Sequence, residues 1–412
     1  MKPPLRLSKD YLRRLSIFAI LALNFGIALS YVFIWLIAGK QDLFWRSDFT
    51  AFYTGGSIVV LGRGSDLYNK ELQTQLQGEI LDGRSFQDGV LLYNYPPHAV
   101  FPFTLLAGLP LLKAYYVWSF VQLILLAWLI HILLRLTRNF SSIERWLIIS
   151  AILALPSLLI NVLLGAFSLF ILNCLLESYL ALINDRELSS GSWLGAGFVK
   201  PQSLILPVMM FAGARRWRAL AGIIAVNLIA LLITSIAFGW RIWIDYAQIV
   251  LSTGRNFNRY GVFPETMYNL KGLLTLQLGN EHAVLINAIS IIAFISVSIL
   301  AFVVWIKTWD VSRPNFELKL AITLLAGLFF SLHLNPQDGL LFIVPFYLFF
   351  LYLRKNKMLV MFFSVFTLLC PVVFLIADFT IAGNFGIRIQ TLTMLVLGVW
   401  MVKSLQADAR IK

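Results

Sequence analysis

The stretch SIFAILALNFGIALSYVFIWLIA, residues Ser16–Ala38, is apolar over almost its whole length. A helix of about 17–25 such residues crosses a bilayer core roughly 30 Å thick. The stretch is too long for the apolar part of a cleaved signal peptide, and it lacks a clear small-residue cleavage site. It therefore predicts a retained membrane helix near the start of the chain.

Further apolar runs follow along the 412 residues, of which 59% are hydrophobic and only 13% are charged. A soluble domain carries about 25% charged residues, so this composition indicates a polytopic membrane protein. No repeat or low-complexity linker divides the chain, and we predict one all-α domain, residues 1–412, with about 12 transmembrane helices. The runs after the first are Ala114–Leu136, Trp146–Leu164, Ala219–Phe238, Ala283–Ile306, Leu318–Leu332, Leu340–Leu353 and Met358–Ala377, with shorter ones at Pro97–Leu112, Phe167–Ile183, Ser192–Phe211 and Ile389–Val402.

The net charge is +13, and the basic residues cluster between the apolar runs. Such clusters mark cytoplasmic loops, and no nucleic-acid-binding motif accompanies them. If the clusters are cytoplasmic, both termini lie inside, and residues 39–96 and 239–271 form extracytoplasmic loops. The first loop agrees, because it holds seven acids and five bases. Arg135, Arg138 and Arg145 lie outside if Pro97–Leu112 spans the membrane and inside if it is re-entrant; both alternatives stay open.

The sequence lacks the motifs of several enzyme classes. It has no Walker loop, no GxGxxG after a strand, no HExxH and no Asp-x-Asp pair. The two cysteines, Cys174 and Cys370, lie in apolar runs and predict buried free thiols. We expect no cofactor and no protein metal ligands, with a divalent metal requirement left open. Among acids within the spans, Glu177 is the clearest candidate for ion-coupled transport.

The segment SDFTAFYTGG, residues Ser47–Gly56, follows the first apolar run. Ser47 is a plausible N-cap, which places Asp48 in the first turn of a helix. Aromatic residues then recur at helical spacing, which predicts a helix along the membrane interface. An ionised carboxylate at a water–lipid boundary suits a general base. The alternative is that Asp48 only complements the helix dipole.

The segment YNYPPHAVFPF, Tyr93–Phe103, opens the next apolar run. Two prolines at a helix start fix φ and cost no hydrogen bond. Tyr93 and Tyr95 are either ligand contacts or interfacial tyrosines of a structural helix entry. His98 is ambiguous in the same way.

Two later motifs carry polar residues in apolar surroundings. GFVKPQS, Gly197–Ser203, places Lys200 in the middle of its run, where no acid is near in sequence and Pro201 indicates a break lining a cavity. A buried ammonium requires an anion, and a phosphate is one candidate. SLHLNPQDG, Ser331–Gly339, brings His333, Asn335 and Asp338 into one turn, where Asn-Pro and Asp-Gly are also ordinary turn chemistry.

In this order the SDFxxFYxGG, YxYPP, KPQ and late histidine motifs resemble the GT-C class of polyprenyl-phosphate-sugar-dependent glycosyltransferases. The closest resemblance is to glycosyltransferase family 87, the α-mannosyltransferase-like group. It implies a GT-C-like bundle with interfacial helices in the first extracytoplasmic loop, a catalytic base at Asp48, and matches to the family's lysine and histidine at Lys200 and His333. Similar proteins often have Gly-Gln where this chain has GAFS, Gly165–Ser168, so the donor sugar is not carried over.

The implied reaction needs positive charge or hydrogen-bond donors where the lipid phosphate leaves, and one base for the acceptor hydroxyl. The candidates for phosphate binding are Lys200, Arg255, Arg259 and His333. The candidates for other substrate contacts are Tyr53, Tyr95, Gln202, Asn269 and Asp338.

We therefore expect an inverting transferase that moves a mannose-like hexose from a polyprenyl-phosphate donor to an extracytoplasmic glycan or lipid acceptor. Its partners are membrane lipids and no nucleic acid, and its place is a bacterial inner membrane. The alternatives are a lipid or polysaccharide transporter or flippase, a membrane assembly factor without catalysis, and a GT-C transferase of a different sugar.

Overall fold

The structure, a computed structural model, describes residues 9–86, 89–254, 257, 259–313, 315–355 and 386–410. Across these ranges the regular structure is helical, and the one β-bridge joins Arg259 to Val262. The predicted all-α class is confirmed for this part of the chain. The α-helices are α1 Lys9–Lys40, α2 Asp48–Val60, α3 Lys70–Ile80, α4 Phe101–Thr104, α5 Leu111–Leu136, α6 Ser142–Leu153, α7 Pro156–Leu164, α8 Ser168–Ile183, α9 Glu187–Ala196, α10 Ile205–Gly213, α11 Trp217–Phe238, α12 Ile242–Gly254, α13 Leu270–Leu278, α14 Ala283–Trp305, α15 Phe316–Phe329, α16 Ile343–Lys355 and α17 Ile389–Arg410.

Six helices in the described ranges are long and apolar enough to cross a membrane, and α6 with α7, bent by 47°, forms a seventh if the pair is one span. The protein is therefore a membrane protein, but the predicted dozen spans is not confirmed. The six are Arg14–Lys40, Leu111–Leu136, Trp217–Phe238, Asn280–Trp305, Pro336–Arg354 and Ile389–Asp408.

Three of the predicted runs form shorter or broken helices. Helix α8 has 16 residues and α15 has 14. Ser192–Phe211 breaks at Lys200, where two 3₁₀ turns replace the helix because Pro201 cannot donate a helical hydrogen bond. A fourth run, Met358–Ala377, lies outside the described residues.

The run Pro97–Leu112 does not form one continuous helix. It contains a 3₁₀ turn, the four-residue α4 and a turn before α5. The end of α1 also lies beside the start of α5, since the rings of Phe44 and Tyr115 stack with centroids 4.0 Å apart. The chain thus turns back without crossing, and Arg135, at the far end of α5, lies away from Asp48. The structure favours the re-entrant alternative.

Basic side chains gather at that far end of the bundle. Helices α1 and α6 run side by side in the same direction, because Asn24 donates to Ser150 Oγ at 3.2 Å and the Tyr31 hydroxyl donates to Ala154 O at 2.6 Å. Arg354, at the end of α16, lies 3.5 Å from Glu144 at the start of α6. We call this the basic end; Asp48 lies at the opposite end, where α1 finishes.

Helix α2 packs directly on the segment that follows it. A Cβ at Gly56 would lie 2.5 Å from the carbonyl oxygen of Phe103, and one at Gly55 would lie 2.9 Å from the Tyr93 ring. The two glycines therefore allow the close approach of α2 to α4. Phe49 is buried in this contact, so the predicted placement of the aromatic face along the membrane interface is not confirmed.

Candidate active site

Asp48 is the first residue of α2, as the sequence predicts, and Ser47 occupies the N-cap position. The Ser47 hydroxyl does not cap the helix; it donates to Phe44 O at 2.6 Å. This bond closes the 3₁₀ turn Phe44–Arg46, which connects α1 to α2. The carboxylate is therefore held where the chain turns from a membrane helix into a short buried one.

Asp48 is half-buried, and its carboxyl group is surrounded by protein atoms. Gln337 donates from Nε2 to Asp48 Oδ2 at 3.0 Å. Burial raises the pKa of Asp48 to about 6; the charge of Lys200 opposes this shift, that of Asp338 adds to it, and the Gln337 bond lowers the pKa. At neutral pH the carboxylate is mostly ionised.

Lys200 and Asp338 form a buried ion pair next to Asp48. Lys200 is 6% exposed and Asp338 is fully buried, and the ammonium donates to Asp338 Oδ2. Ser168 donates to Asp338 Oδ1 and the Asn335 backbone N–H donates to Oδ2, both at 2.8 Å. No acid lies near Lys200 in sequence, and the anion that its buried ammonium requires comes from a turn 138 residues later in the chain.

The Ser168 hydroxyl is placed by the GAFS turn between α7 and α8. Gly165 ends α7 with φ +66°, a left-handed conformation that favours glycine. Helix α5 fixes the turn, since Trp118 donates to Gly165 O at 2.8 Å and Gln122 donates to Ala166 O at 2.9 Å. The segment that departs from the family pattern thus holds a donor to Asp338.

We call Asp48, Gln337, Lys200, Asp338 and Ser168 the Asp48 cluster. Tyr95 and His333 lie close enough to this cluster for its charges to shift their pKa values. Burial, and then the charges of Asp48 and Asp338, raise the pKa of Tyr95 well above its usual value. Burial and the charge of Lys200 lower the pKa of His333 to about 3. His333 is therefore a neutral imidazole at physiological pH, a group that can form hydrogen bonds but carries no positive charge.

Lys271 is a buried cation that sequence reasoning did not select. Its side chain is 4% exposed, its ammonium donates to Gly254 O at 3.1 Å, and it lies 4.8 Å from the centre of the Phe257 ring. No acid in the described part of the chain pairs with it. Burial lowers its pKa to about 8, and its charge contributes to the low pKa of His333.

Tyr53 and Asn269, two of the predicted substrate contacts, use their polar side-chain groups in hydrogen bonds within the protein. The Tyr53 hydroxyl donates to Leu109 O at 2.5 Å. Asn269 caps α13 by accepting from Gly272 N–H at 3.0 Å and donates to Ser331 O at 2.7 Å. The second bond of Asn269 ties α13 to the turn that carries His333 and Asp338.

The remaining predicted residues are placed differently. Gln202 is half-buried in the 3₁₀ turn after Lys200, and its side chain forms no hydrogen bond within the described residues. Arg259 is exposed at the bridge with Val262. Arg255 lies outside the described residues. In the part of the chain that the structure describes, no group of three or more His, Cys, Asp or Glu residues could hold a metal ion.

Glu177, the acid considered for ion-coupled transport, is paired. Arg135 donates to Glu177 Oε1 at 2.8 Å, and Trp128 Nε1 donates to the same oxygen at 3.3 Å. The pair lies toward the basic end, away from the Asp48 cluster. An acid neutralised in this way is a poor carrier of a proton or cation, which weighs against the transporter alternative.

The comparisons with known proteins decide the family. The sequence profile of glycosyltransferase family 87 matches residues 93–336, more than half of the chain. The chain belongs to glycosyltransferase family 87. This glycosyltransferase therefore acts between a sugar donor and an acceptor, and the resemblance seen in its motifs is confirmed. Searches of curated proteins and of solved structures returned no match.

The matched part of the family 87 chain includes Tyr95, Lys200 and His333 but begins after Asp48. Sequence reasoning missed Gln337 and Ser168 as members of the cluster, although both lie in segments that it singled out. Gln337 stands between the turn residues Pro336 and Asp338, where its contact with a side chain 289 residues away has no local signal.

Proposed function

We propose that this family 87 enzyme transfers a mannose-like hexose from a polyprenyl phosphate to a hydroxyl of a glycan or lipid, with inversion at the anomeric carbon and with Asp48 as the general base. The observation that carries this proposal is the placement of Asp48. Asp48 is half-buried, and its carboxylate is held at the head of α2 by Gln337.

One base is enough for this reaction. A lipid phosphate is a good leaving group that needs no general acid, whereas a sugar or lipid hydroxyl must lose its proton as it attacks. A carboxyl group with a pKa of about 6 is ionised at neutral pH and more basic than an ordinary aspartate. A single carboxylate on the side opposite the leaving phosphate implies inversion.

The leaving phosphate needs donors and positive charge where negative charge develops. Lys271 supports this role, because its buried ammonium has one carbonyl partner and no acid among the described residues. His333 lies in the same electrostatic neighbourhood and supplies a neutral hydrogen-bonding group. Arg255 and Arg259 precede α13 in sequence and remain candidates of the same class.

The location of the cluster fits a lipid-linked donor. Asp48 follows the end of the membrane helix α1, at the end of the bundle opposite the basic residues. If the basic end faces the cytoplasm, as the charge rule for membrane proteins predicts, the cluster opens on the extracytoplasmic side. The prenyl chain then stays in the bilayer of a bacterial inner membrane while the acceptor arrives from outside.

The test is transfer by purified enzyme in proteoliposomes that contain polyprenyl-phosphate mannose and a glycan or lipid acceptor. We expect Asp48→Asn to reduce the transfer rate by about 10²- to 10⁴-fold, the usual contribution of a general base. Asp66→Asn, which alters a partly exposed acid paired with Arg63, is the matched control and should retain activity. Release of polyprenyl phosphate separates a transferase from a flippase, and full activity of Asp48→Asn would overturn the assignment of the base.

A further inference from the structure

We propose that Gln337 orients the Asp48 carboxylate for catalysis and that the buried Lys200–Asp338 ion pair holds Gln337 in place, an inference that rests on Asp48 being the base. It gives Lys200 a positioning role, so that the leaving phosphate is bound by other donors. The residues come from the starts of α2 and α8, the break at Lys200, and the 3₁₀ turn Pro336–Phe342.

The contact between Gln337 and Asp48 determines which carboxylate oxygen is available. Gln337 is 3% exposed, and its amide occupies Asp48 Oδ2 at 3.0 Å. No hydrogen bond from the described residues reaches Oδ1, so that oxygen is available to accept the proton of the acceptor hydroxyl. A carboxylate fixed through one oxygen presents the other in one direction, which is what a near-attack geometry requires.

Asp338 is what fixes Gln337. Its carboxylate accepts from Ser168, from the Asn335 backbone and from Lys200, so the start of the 3₁₀ turn is held from three directions. On its other side the turn packs against α7, since a Cβ at Gly339 would lie 2.3 Å from Ser157 Oγ. Gln337 is the residue next to Asp338, so a shift of the ion pair would move the amide that contacts Asp48.

The ion pair also satisfies Lys200. A buried ammonium or carboxylate that loses its partner is strongly unfavourable, whereas a hydrogen-bonded pair is tolerated. Lys200 is 6% exposed and its ammonium is directed at Asp338, so its charge is neutralised within the protein and offers a phosphate less net positive charge than an unpaired cation would. Lys271 has no such partner among the described residues, so of the two lysines it is better suited to donate a hydrogen bond to the phosphate.

The charged and titratable groups around Asp48 determine the pH readout. Lys200 faces Asp48 from the break between two 3₁₀ turns. Asp338 and His333 face it from the segment Ser331–Gly339, and Tyr95 faces it from the segment before α4. His333 and Tyr95 are neutral near pH 6. Loss of the Gln337 hydrogen bond therefore raises the pKa of Asp48 without a compensating titration, and the acidic limb of the rate profile moves to higher pH.

The first experiment compares Gln337→Met, which keeps the side-chain length but removes the donor, with the full-length wild-type enzyme in proteoliposomes. We expect kcat to fall at least about 10-fold, the donor KM to stay within about 3-fold, and the acidic limb of kcat/KM to move upward in pH. Gln75→Met, an exposed glutamine in α3, is the control and should change none of these. An unchanged acidic limb, or an equal loss at every pH, would overturn the inference because a purely structural defect removes active enzyme uniformly.

The second experiment separates positioning from phosphate binding by Lys200. Lys200→Met alone leaves the Asp338 carboxylate without its cation, and we expect this variant either to be inactive or to fail to fold. Lys200→Gln combined with Asp338→Asn restores a neutral hydrogen-bonded pair, and we expect it to recover activity relative to the single variant with a donor KM within about 3-fold of wild type. A donor KM raised about 10-fold or more in the folded double variant would show that Lys200 binds the phosphate. If the double variant does not fold, the pH profile of Gln337→Met decides alone.

Failure of this inference is distinguishable from failure of the proposed function. An active Asp48→Asn enzyme would remove the base itself, and with it the role of Gln337. An inactive Asp48→Asn enzyme together with an unchanged Gln337→Met profile would remove only the positioning role.

Discussion

Asp48 combines a raised pKa with a fixed orientation, and both come from its neighbours rather than from its own helix. The N-terminus of α2 favours a negative charge, as the sequence indicates. Burial acts in the opposite direction and is the larger effect, so the pKa rises to about 6 instead of falling. The helix-dipole explanation for an acid at this position is therefore incomplete, because it predicts a carboxyl group with an ordinary or lowered pKa.

The pKa values of Asp48 and Lys271 predict a bell-shaped pH dependence of kcat/KM. In the proposed mechanism Asp48 must be ionised, so we expect activity to be lost as the pH falls through about 6. In the proposed mechanism Lys271 must be protonated to attract the donor phosphate, so we expect activity to be lost as the pH rises through about 8. A bound phosphate stabilises the ammonium, so the alkaline limb of kcat should lie at higher pH than that of kcat/KM. Initial rates from about pH 5 to about pH 9 test this, and a profile without an acidic limb near 6 would contradict it.

Lys271→Met should raise the donor KM by about 10- to 100-fold, the effect expected when a hydrogen bond to a charged group is removed. Lys319→Met is a matched control. Lys319 also donates to a carbonyl, Val304 O at 2.7 Å, and also lies over an aromatic ring, that of Trp305. It stands near the start of α15, whereas His333 follows the end of that helix. Equal changes in donor KM for both variants would argue against a specific phosphate contact at Lys271.

Helix α2 shows how much of one element can be predicted from its own sequence. The spacing of SDFTAFYTGG correctly predicts a helix that begins at Asp48 with Ser47 at the N-cap position, although the Ser47 hydroxyl does not cap it. The partner of its aromatic face was not predictable from the spacing, because an apolar face suits a membrane interface and a protein interior equally well. The structure places it in the interior, where the Phe52 and Phe103 rings stack with centroids 4.9 Å apart.

Gly56→Ala should destabilise the protein through α2. The added Cβ would lie 2.5 Å from the Phe103 carbonyl oxygen, which is closer than real contacts allow, so α2 must move away from α4. We expect a loss of about 1–3 kcal/mol, typical of overpacking. Gly78→Ala in α3 is the control, since a Cβ there meets nothing within 4 Å and should stabilise the helix by about 0.5–1 kcal/mol. Thermal unfolding of both variants in detergent measures the difference, and equal midpoints would contradict the packing argument.

The candidate site was predictable in its parts but not in its connections. The motifs named Asp48, Lys200 and Asp338, because each is a charged residue beside apolar runs or turns. The pairing of Lys200 with Asp338 joins positions 138 residues apart, and the contact of Asp48 with Gln337 joins positions 289 apart. Hydrophobic periodicity and turn chemistry act over a few residues, so they give no information about which distant polar groups meet.

The arrangement of the whole bundle was predictable from the sequence only in part, for the same reason. Composition alone indicates a membrane protein, but not every apolar run of the described residues forms one continuous helix. The run that contains Lys200 and Pro201 and the proline-rich run after Tyr95 are both broken, so the count of spans from apolar runs is not confirmed. The charge clusters were the better guide. Once the chain turns back after α2, Arg135 and Arg354 gather at one end and the Asp48 cluster lies at the other.

This segregation predicts the sidedness of the site. Ser85 is an exposed residue of the segment that follows α3, and Asn139 is exposed between α5 and α6 at the basic end. In intact cells or sealed right-side-out vesicles, we expect a membrane-impermeant maleimide to label Ser85→Cys and to leave Asn139→Cys unlabelled until the membrane is opened. The wild-type protein is the background control for its own two cysteines, of which Cys174 is buried and Cys370 lies outside the described residues. Labelling of Asn139→Cys but not Ser85→Cys in sealed membranes would place Asp48 on the cytoplasmic side, and the extracytoplasmic acceptor would then have to be abandoned while the chemistry of the carboxylate stayed the same.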